Sequence, residues 1–182
     1  IYADVVLNHK ARADFEEEFE AVKVDQNDRT KEIEEPRIIR AWTGFDFPGR
    51  NGKYSYFQWH HYHFTGVDFD TKSGEQGVFR ILGENKGWNW GVSGDYGNFD
   101  YLMFADIDHA HPEVREELIR WIDWFIQELN IDGIRFDAVK HIDHDFLQMY
   151  SEKILEMKGD DFYLLGEYWD NNIDNKEMFM ES

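Results

Sequence analysis

This sequence lacks cysteine, long apolar runs and enough basic residues to balance its acidic ones. None of its 182 residues is cysteine, which removes the commonest ligand of structural zinc and fits cytoplasmic and secreted proteins alike. No apolar run reaches the ~18 residues that a membrane helix needs. Nineteen basic against 38 acidic residues give a formal net charge of −19, which argues against nucleic acid or an anionic membrane as a partner.

The chain does contain enough apolar material for a core, with two acidic residues at the ends of predicted strands. Apolar residues make up 42% of the sequence, which suffices for one folded domain. The apolar runs 131–136 and 162–166 predict strands, and the residues between them have helical spacing. Such a unit aligns the carboxyl ends of parallel strands. Asp137 and Glu167, which follow the two runs, are therefore expected to be neighbours.

Two neighbouring carboxylates suit glycoside hydrolysis. One attacks or stabilises an oxocarbenium-like centre, and the other, held protonated, delivers a proton to the leaving oxygen. By strand alternation Arg135 shares the cleft with Asp137, where a fixed cation would keep that carboxylate ionised. This favours Asp137 as nucleophile and Glu167 as acid. The alternative is that both are ordinary strand-end carboxylates that accept backbone N–H bonds or cap helices.

Three short motifs carry a resemblance to a known family. They are Asp4-Val5-Val6-Leu7-Asn8-His9, Gly133-Ile134-Arg135-Phe136-Asp137-Ala138-Val139-Lys140-His141 and Gly166-Glu167-Tyr168-Trp169. They closely resemble three of the four motifs of the α-amylase family, glycoside hydrolase family 13, and the resemblance runs over essentially the whole chain. The fourth motif and its third catalytic aspartate are absent, because the chain stops soon after Glu167. We therefore expect the chain alone to be inactive.

The resemblance implies catalytic roles for three residues. Asp137 matches the nucleophile that forms a covalent glycosyl-enzyme, and Glu167 matches the general acid that later acts as a base. Arg135 matches the arginine that orients and ionises the nucleophile.

The resemblance also implies substrate contacts. His9 matches a histidine that contacts the sugar in the subsite being cleaved. Lys140 and His141 match a pair that holds the glucose on the leaving-group side and is typical of enzymes acting on α-1,4 linkages. Trp169 is expected to contact a sugar as well, because a flat aromatic face can stack on a sugar ring.

One structural calcium ion is implied by the resemblance. The family match places the Asn8 side chain, Asp100, Asp106 and the backbone carbonyl of His141 around it, where it clamps an inserted domain to a barrel. Calcium prefers oxygen ligands of this kind. The sequence spacing of these residues alone would not gather them.

Neither a second metal cluster nor zinc is expected. Heat-stable secreted relatives carry an extra cluster whose acidic ligands would fall at Thr65, Asn89 and Ala110. Among the positions that correspond to the ligands of this cluster, only Asp108 is acidic in this chain. His61 and His63 share a face of a predicted strand, but zinc sites usually need a third or fourth ligand in fixed geometry. A polar strand explains these histidines without a metal.

The predicted fold is α/β, a partial (β/α)8 TIM barrel with an inserted irregular β-rich domain, the family's B domain. A complete barrel has eight strands over ~250 residues, whereas barrel strands are predicted only at about residues 1–7, 131–136 and 161–167. The chain also starts without Met or a signal segment, which predicts an internal fragment. Residues 1–9 and 111–182 are assigned to the catalytic domain and residues 10–110 to the insertion.

Within the insertion, short apolar and aromatic runs predict strands at 21–24, 38–42, 56–64 and 78–82. The acidic run 14–18 predicts a solvated face. Pro112 is expected to begin a helix, because its fixed φ suits the first helical position.

The resulting hypothesis is a fragment of a retaining glycoside hydrolase that cleaves internal α-1,4-glucosidic bonds of starch, glycogen or maltodextrin. The Lys140–His141 pair and the long insertion favour this over a transglycosidase or debranching enzyme of the same family. A third alternative is a catalytically inactive carbohydrate-binding or calcium-binding fragment. Loss of the extra metal ligands favours a cytoplasmic over a secreted protein. The full-length protein is expected to be a monomer.

Overall fold

In a computed structural model, residues 1–170 form one parallel and one antiparallel sheet with two long helices. Residues 171–182, assigned above to the catalytic domain, lie outside the described residues. In chain order the elements are β1 (Tyr2–Val5), β2 (His9–Lys10), β3 (Phe15–Val24), β4 (Arg37–Gly44), β5 (Phe64–Asp70), β6 (Glu75–Ile81), β7 (Ala105–Ile107), α1 (Pro112–Leu129), β8 (Gly133–Phe136), α2 (His144–Lys158) and β9 (Tyr163–Gly166).

The parallel sheet has the order β1-β8-β9 and joins segments that are far apart in sequence. Its register sets Asp4 opposite Arg135 and Phe136 opposite Gly166, so that all three strands end at the same edge. A Cβ on Gly133 would lie 2.5 Å from the carbonyl oxygen of Tyr163. Only glycine permits this approach of the backbones. The three predicted strands are therefore confirmed, with shorter bounds.

The two helices share a hydrophobic core with this sheet, in which the ring of Tyr150 in α2 lies 6.2 Å from that of Phe136 in β8. Pro112 begins α1 as predicted, and Asn130 ends it in the left-handed conformation with φ 47°. The Tyr150 hydroxyl of α2 donates to the carbonyl of Leu118 in α1 at 3.0 Å, which joins the two helices. Neither helix, nor any other within residues 1–170, is long and apolar enough to cross a membrane. The apolar face of α1 lies in the core through Val114, Leu118, Ile122 and Ile126.

The residues from β2 to β7 form a six-stranded sheet of order β2-β7-β5-β6-β3-β4. All its pairings are antiparallel. The strand predicted at 56–64 is wrong: His61–His63 form a 3-10 turn, and Trp59 makes only an isolated bridge to Phe45. The turn is stabilised because the His60 backbone N–H donates to His63 Nδ1 at 2.9 Å. His9 lies in β2 and pairs with β7, and so the sheet begins one residue before the predicted insertion.

Glu17 corrects the prediction of a solvated acidic face. Its side chain is 16% exposed and accepts hydrogen bonds from the Thr43 hydroxyl at 2.7 Å and the His61 backbone N–H at 2.7 Å. His60 Nδ1 also lies 2.9 Å from its carboxylate. Burial alone would raise the pKa of Glu17, but hydrogen bonds from His61, Thr43 and His60 outweigh it and lower the pKa to about 2. This carboxylate therefore ties β3 to the turn before β5.

We expect Glu17→Gln to lower the free energy of unfolding by about 2 kcal/mol at neutral pH, because it removes charged hydrogen bonds. A depressed carboxyl pKa contributes stability above the unfolded value of 4.5 and loses it as the pH falls towards 2. Urea unfolding from pH 7 downwards should show the deficit shrinking once the pH falls below 4.5. Glu20→Gln, at an exposed position of the same strand, should leave the free energy of unfolding unchanged. A Glu17→Gln deficit independent of pH would contradict this assignment.

Candidate active site

One guanidinium gathers three carboxylates at the carboxyl edge of the parallel sheet. Arg135 Nη1 lies 2.5 Å from Asp4 Oδ1 and 3.3 Å from Asp137 Oδ1, and its Nη2 lies 2.7 Å from Glu167 Oε1. The Asp137 and Glu167 side chains are 27% and 26% exposed, respectively. The structure therefore brings together Arg135, Asp137 and Glu167, as the sequence predicted. It adds Asp4, which sequence analysis missed.

Backbone bonds continue the sheet beyond its strands and fix the two acids. The Asp137 backbone N–H donates to the Val5 carbonyl at 2.9 Å, and the Glu167 backbone N–H donates to the Phe136 carbonyl at 2.9 Å. Ala138 then adopts the left-handed conformation with φ 54°, which is unfavourable for a residue with a Cβ. In this conformation its N–H donates to Glu167 Oε2 at 3.3 Å. The strained residue thus links the two acidic segments, as strained residues at functional sites often do.

The two carboxylates differ in charge preference, in the opposite order to the sequence prediction. Burial and the neighbouring Glu167 raise the pKa of Asp137, against the effect of Arg135. The indole N–H of Trp169, 2.6 Å from Glu167 Oε1, lowers the pKa of Glu167, assisted by the Ala138 N–H. The pKa shifts of the two carboxyl groups are therefore opposite in direction. Arg135 lowers the pKa of Asp137, in the predicted direction, but burial and Glu167 outweigh it. The same guanidinium also binds Asp4 and Glu167.

Two histidines border the carboxylates with defined orientations. His9 Nδ1 lies 3.1 Å from Asn8 Oδ1, and burial lowers the pKa of His9 although the charge of Asp137 opposes this. His141 Nδ1 lies 2.7 Å from the Phe99 carbonyl oxygen, and burial lowers the pKa of His141 as well. A neutral His141 must donate from Nδ1 to that carbonyl, which leaves Nε2 as an acceptor.

Lys140 and Trp169 complete the site. The Lys140 ammonium contacts the carboxylates of Asp95 and Asp170 and the carbonyl oxygen of Trp169. The Trp169 side chain is exposed, in keeping with its predicted role as a surface for a sugar ring. A cavity of about 300 Å³ opens here. It is lined by Leu102, Asp137, Ala138, Lys140, His141, Glu167 and Trp169.

The predicted calcium ligands converge beside this cavity. The Asn8 side-chain nitrogen lies 3.1 Å from Asp106 Oδ1, 3.2 Å from the His141 carbonyl oxygen and 3.4 Å from the Asp100 carbonyl oxygen. An N–H donor thus sits where three oxygens meet, as a cation would. The Asp100 carboxylate accepts from the Asn89 side-chain amide at 3.0 Å and from the Asn89 backbone N–H at 2.9 Å.

The two buried carboxylates of this cluster carry an unfavourable charge. Burial raises the pKa of Asp100 to about 7, and burial together with the charge of Asp100 raises the pKa of Asp106 well above its ordinary value. A hard cation among these oxygens would relieve both effects. The donor set, which is entirely oxygen, therefore fits calcium.

The positions of the extra metal cluster hold hydrogen-bond donors instead. The Thr65 hydroxyl donates to Asp106 Oδ2 at 2.7 Å. The Lys86 ammonium lies 2.5 Å from Asp108 Oδ2, with both side chains buried. The cationic partner of Asp108 in this structure is therefore a lysine.

The histidine-rich turn brings together one set of possible metal ligands, His63, His111 and Glu113, with ligand atoms within 4.8 Å of one another. However, His63 Nδ1 accepts the His60 N–H, and so the neutral ring carries its proton on Nε2, which lies 3.3 Å from Glu113 Oε2. A metal would need the lone pair of that nitrogen. The hydrogen bonds therefore favour a metal-free turn, and His61 instead stacks on Phe19.

Sequence analysis missed three acidic residues that pair directly with predicted site residues. Asp4 has a usable signal, because it precedes Asn8 in a recognised motif and falls one strand away from Arg135. Asp170 directly follows Trp169. Asp95 lies 45 residues before Lys140, in a glycine-rich stretch without a periodic pattern, and only the fold brings them together.

Comparison with known proteins identifies the family. The model of the "Alpha amylase, catalytic domain" family matches residues 1–182. An α-amylase of Bacillus licheniformis is 44% identical over 99% of this chain and 35% of its own length. An α-amylase of Geobacillus stearothermophilus is 45% identical over 95% of this chain and 32% of its own. The cytoplasmic α-amylase of Escherichia coli K12 is 36% identical over all of this chain and 37% of its own.

The chain thus spans about a third of the length of these relatives. Within that third, the family match extends across both sheets and includes the arginine and the two carboxylates at the sheet edge. This chain belongs to the α-amylase family of glycoside hydrolases.

Proposed function

We propose that this chain forms the centre of a retaining α-amylase that hydrolyses internal α-1,4-glucosidic bonds of starch, glycogen or maltodextrin. The observation that carries this proposal is the Arg135 guanidinium, which holds Asp137 and Glu167 together at the ends of neighbouring parallel strands. Two carboxylates brought this close together can flank a glycosidic bond, as the double displacement of retaining glycosidases requires. A binding module has no need of this charged trio.

The sheet order β1-β8-β9, with helices between parallel strands, suits one sector of a (β/α)8 barrel. In such a barrel the carboxyl edge of the strands carries the chemistry, and here that edge carries all three charged groups. The antiparallel sheet then forms a B domain against one side of the cleft, where residues 99 and 100 meet His141 and Asn8.

In the proposed reaction Asp137 attacks the anomeric carbon and Glu167 protonates the departing glycosidic oxygen. Glu167 then takes a proton from the water that releases the sugar from Asp137. His9 faces Asp137 and is neutral, with its Nδ1–H donated to Asn8 Oδ1. Its Nε2 therefore accepts a hydrogen bond from a sugar hydroxyl, and the ring does not repel the developing positive charge.

The reaction needs a protonated Glu167, and so the pKa of Glu167 must shift upwards from the lowered value that Trp169 gives it. A bound glucan would provide that shift in two ways. It would exclude water from Glu167, which raises a carboxyl pKa, and it would draw the exposed Trp169 ring towards the sugar and away from Glu167. With Glu167 protonated in this way, Arg135 would stabilise the ionised Asp137 in the complex.

In the full-length protein, we expect Asp137→Asn to lower turnover of starch by at least ~10⁴-fold, as loss of a nucleophile does. Glu167→Gln should lower it by about 10²–10⁴-fold, the range for general acid catalysis. An α-maltosyl fluoride separates the roles, because fluoride leaves without a proton. On that substrate Glu167→Gln should retain its glycosylation rate, and Asp137→Asn should not.

Asp132→Asn provides a matched control, since Asp132 lies just before the opposite end of β8 and is exposed. Its turnover should equal that of the unaltered enzyme, and all three variants should still bind starch. Retention of fluoride hydrolysis by Asp137→Asn but not by Glu167→Gln would exchange the two roles. Normal starch turnover by either variant would remove that residue from catalysis.

We also propose one calcium ion held by Asn8, Asp100, Asp106 and the carbonyl oxygen of His141. Its support is the convergence of oxygens on the Asn8 amide and the burial of two carboxylates there. Amide nitrogen and oxygen exchange places on rotation, and so Asn8 can present its oxygen to a cation. The ion would neutralise buried charge and would connect the insertion to the residues after β8. It would take no part in bond breaking.

Calorimetric titration of the metal-depleted full-length protein should therefore reveal one tight calcium site. Asp106→Asn should abolish it and should remove the calcium-dependent rise in melting temperature, because a neutral amide binds calcium far less strongly. Glu20→Gln, an exposed acid on β3, should leave the titration unchanged. Two or more tight sites, or normal binding by Asp106→Asn, would contradict this assignment.

A further inference from the structure

The Lys140 side chain joins three segments of the chain. Its ammonium lies 2.5 Å from Asp95 Oδ2, 3.1 Å from Asp170 Oδ2 and 3.2 Å from the Trp169 carbonyl oxygen. An ammonium has three N–H donors. Among the described residues, these three acceptors already account for all of them. A sugar hydroxyl that bound Lys140 directly would have to displace one.

The three joined segments are the walls of the proposed cleft. Asp95 begins the 3-10 turn Asp95–Gly97 in the insertion, and Lys140 lies in the turn Val139–His141 that follows the proposed nucleophile. The third segment follows β9 and carries Trp169 and Asp170. Aromatic rings of Phe99 and Tyr168 lie 5.8 and 5.6 Å from the ammonium, at cation–π distance. The Lys140 side chain is only 8% exposed as a result.

This junction controls the surroundings of the proposed acid. The Trp169 main chain is bonded to Lys140, and its indole N–H is bonded to Glu167 Oε1 at 2.6 Å. A shift of the ammonium would therefore move Trp169 relative to Glu167. Lys140, Trp169 and Glu167 all line the same cavity.

Asp95 is the member of this junction that comes from the insertion. Its side chain is 47% exposed, whereas that of Asp170 is 10% exposed. An exposed pair on an ordinary surface would contribute little, but the partner here is a nearly buried ammonium. Removing the charge of Asp95 weakens this contact from an ion pair to a neutral hydrogen bond, so that the donor turns into the cleft more often.

We propose that Asp95 is a positioning residue for the leaving-group side of the cleft. Its carboxylate holds Lys140 against Trp169 and Asp170, and thereby fixes the segment that carries Glu167. Asp95 itself acts through Lys140 and need not touch the bond being broken. The inference rests on the proposed function, because the leaving-group side is defined by that reaction.

Chemical labelling tests the junction without any activity. In the full-length protein, an amine-acylating reagent should modify Lys140 slowly, and mass spectrometry of the digested protein gives its rate. Asp95→Asn should raise that rate about threefold or more, because the ammonium is held by a neutral amide in place of a carboxylate and opens more often. Lys153, paired with Glu156 on α2, should react at the same rate in both proteins. An unchanged Lys140 rate would overturn the proposed contact.

Kinetics test the positioning role. For a maltooligosaccharide long enough to occupy the leaving-group side, Asp95→Asn should lower kcat/KM about 3–10-fold, mainly through KM. For α-maltosyl fluoride, whose leaving group is one atom, the same variant should match the unaltered enzyme. Asp95→Glu, which keeps the carboxylate, should recover at least half of the lost kcat/KM. Glu18→Gln serves as the control, since the Glu18 side chain is 46% exposed and pairs with Arg40 on the antiparallel sheet. It should leave kcat/KM unchanged for both substrates.

Equal losses on both substrates would indicate general damage to the fold and would overturn the positioning role, as would an unchanged oligosaccharide reaction. Failure of Asp95→Glu to recover any activity would do the same. Failure of the proposed function would look different, because the unaltered enzyme would then act on neither substrate. The labelling rates of Lys140 would still show whether Asp95 holds its ammonium.

Discussion

The Arg135 guanidinium is the constraint on which the rest of the site depends. It bonds carboxylates from each of the three parallel strands or their ends, Asp4, Asp137 and Glu167. Three carboxylates this close would repel one another strongly without a fixed cation. Arginine suits the task because its planar fork presents several donors in fixed directions and stays charged. The sheet register supplies the geometry, since Asp4 lies directly opposite Arg135.

A second polar layer connects this trio to the antiparallel sheet. Asn8 contacts Asp106 of β7, the carbonyl oxygen of His141 and, through its own oxygen, the His9 ring. His141 in turn bonds the Phe99 carbonyl oxygen, and Lys140 beside it bonds Asp95. The residues just after β8 therefore contact the insertion at several points. Burial makes each of these contacts specific, because an unpaired polar group there would be costly.

Much of the fold follows from local patterns. Apolar runs located the three parallel strands, and Pro112 located the start of α1, because these features act over a few residues. The run 56–64 has the aromatic content of a strand, and so its pattern alone predicts one. There the His60–His63 hydrogen bond and the contacts of Glu17 impose a turn instead. The same contacts explain why Glu17 is not part of a solvated face.

The sequence by itself determined the three central side chains of the site. An acid follows each of two apolar strands, and an arginine lies two residues before one of these acids. Recognisable motifs surround all three residues. Only the tertiary structure decided how these groups share charge and donors. Burial raises the pKa of Asp137 and Trp169 lowers that of Glu167, opposite to the directions expected. The Lys140 ammonium donates to Asp95, Asp170 and the Trp169 carbonyl oxygen. The physical reason is that a pKa or a hydrogen bond depends on distances of a few ångströms, and partners such as Asp4 and Arg135 lie 131 residues apart in the chain.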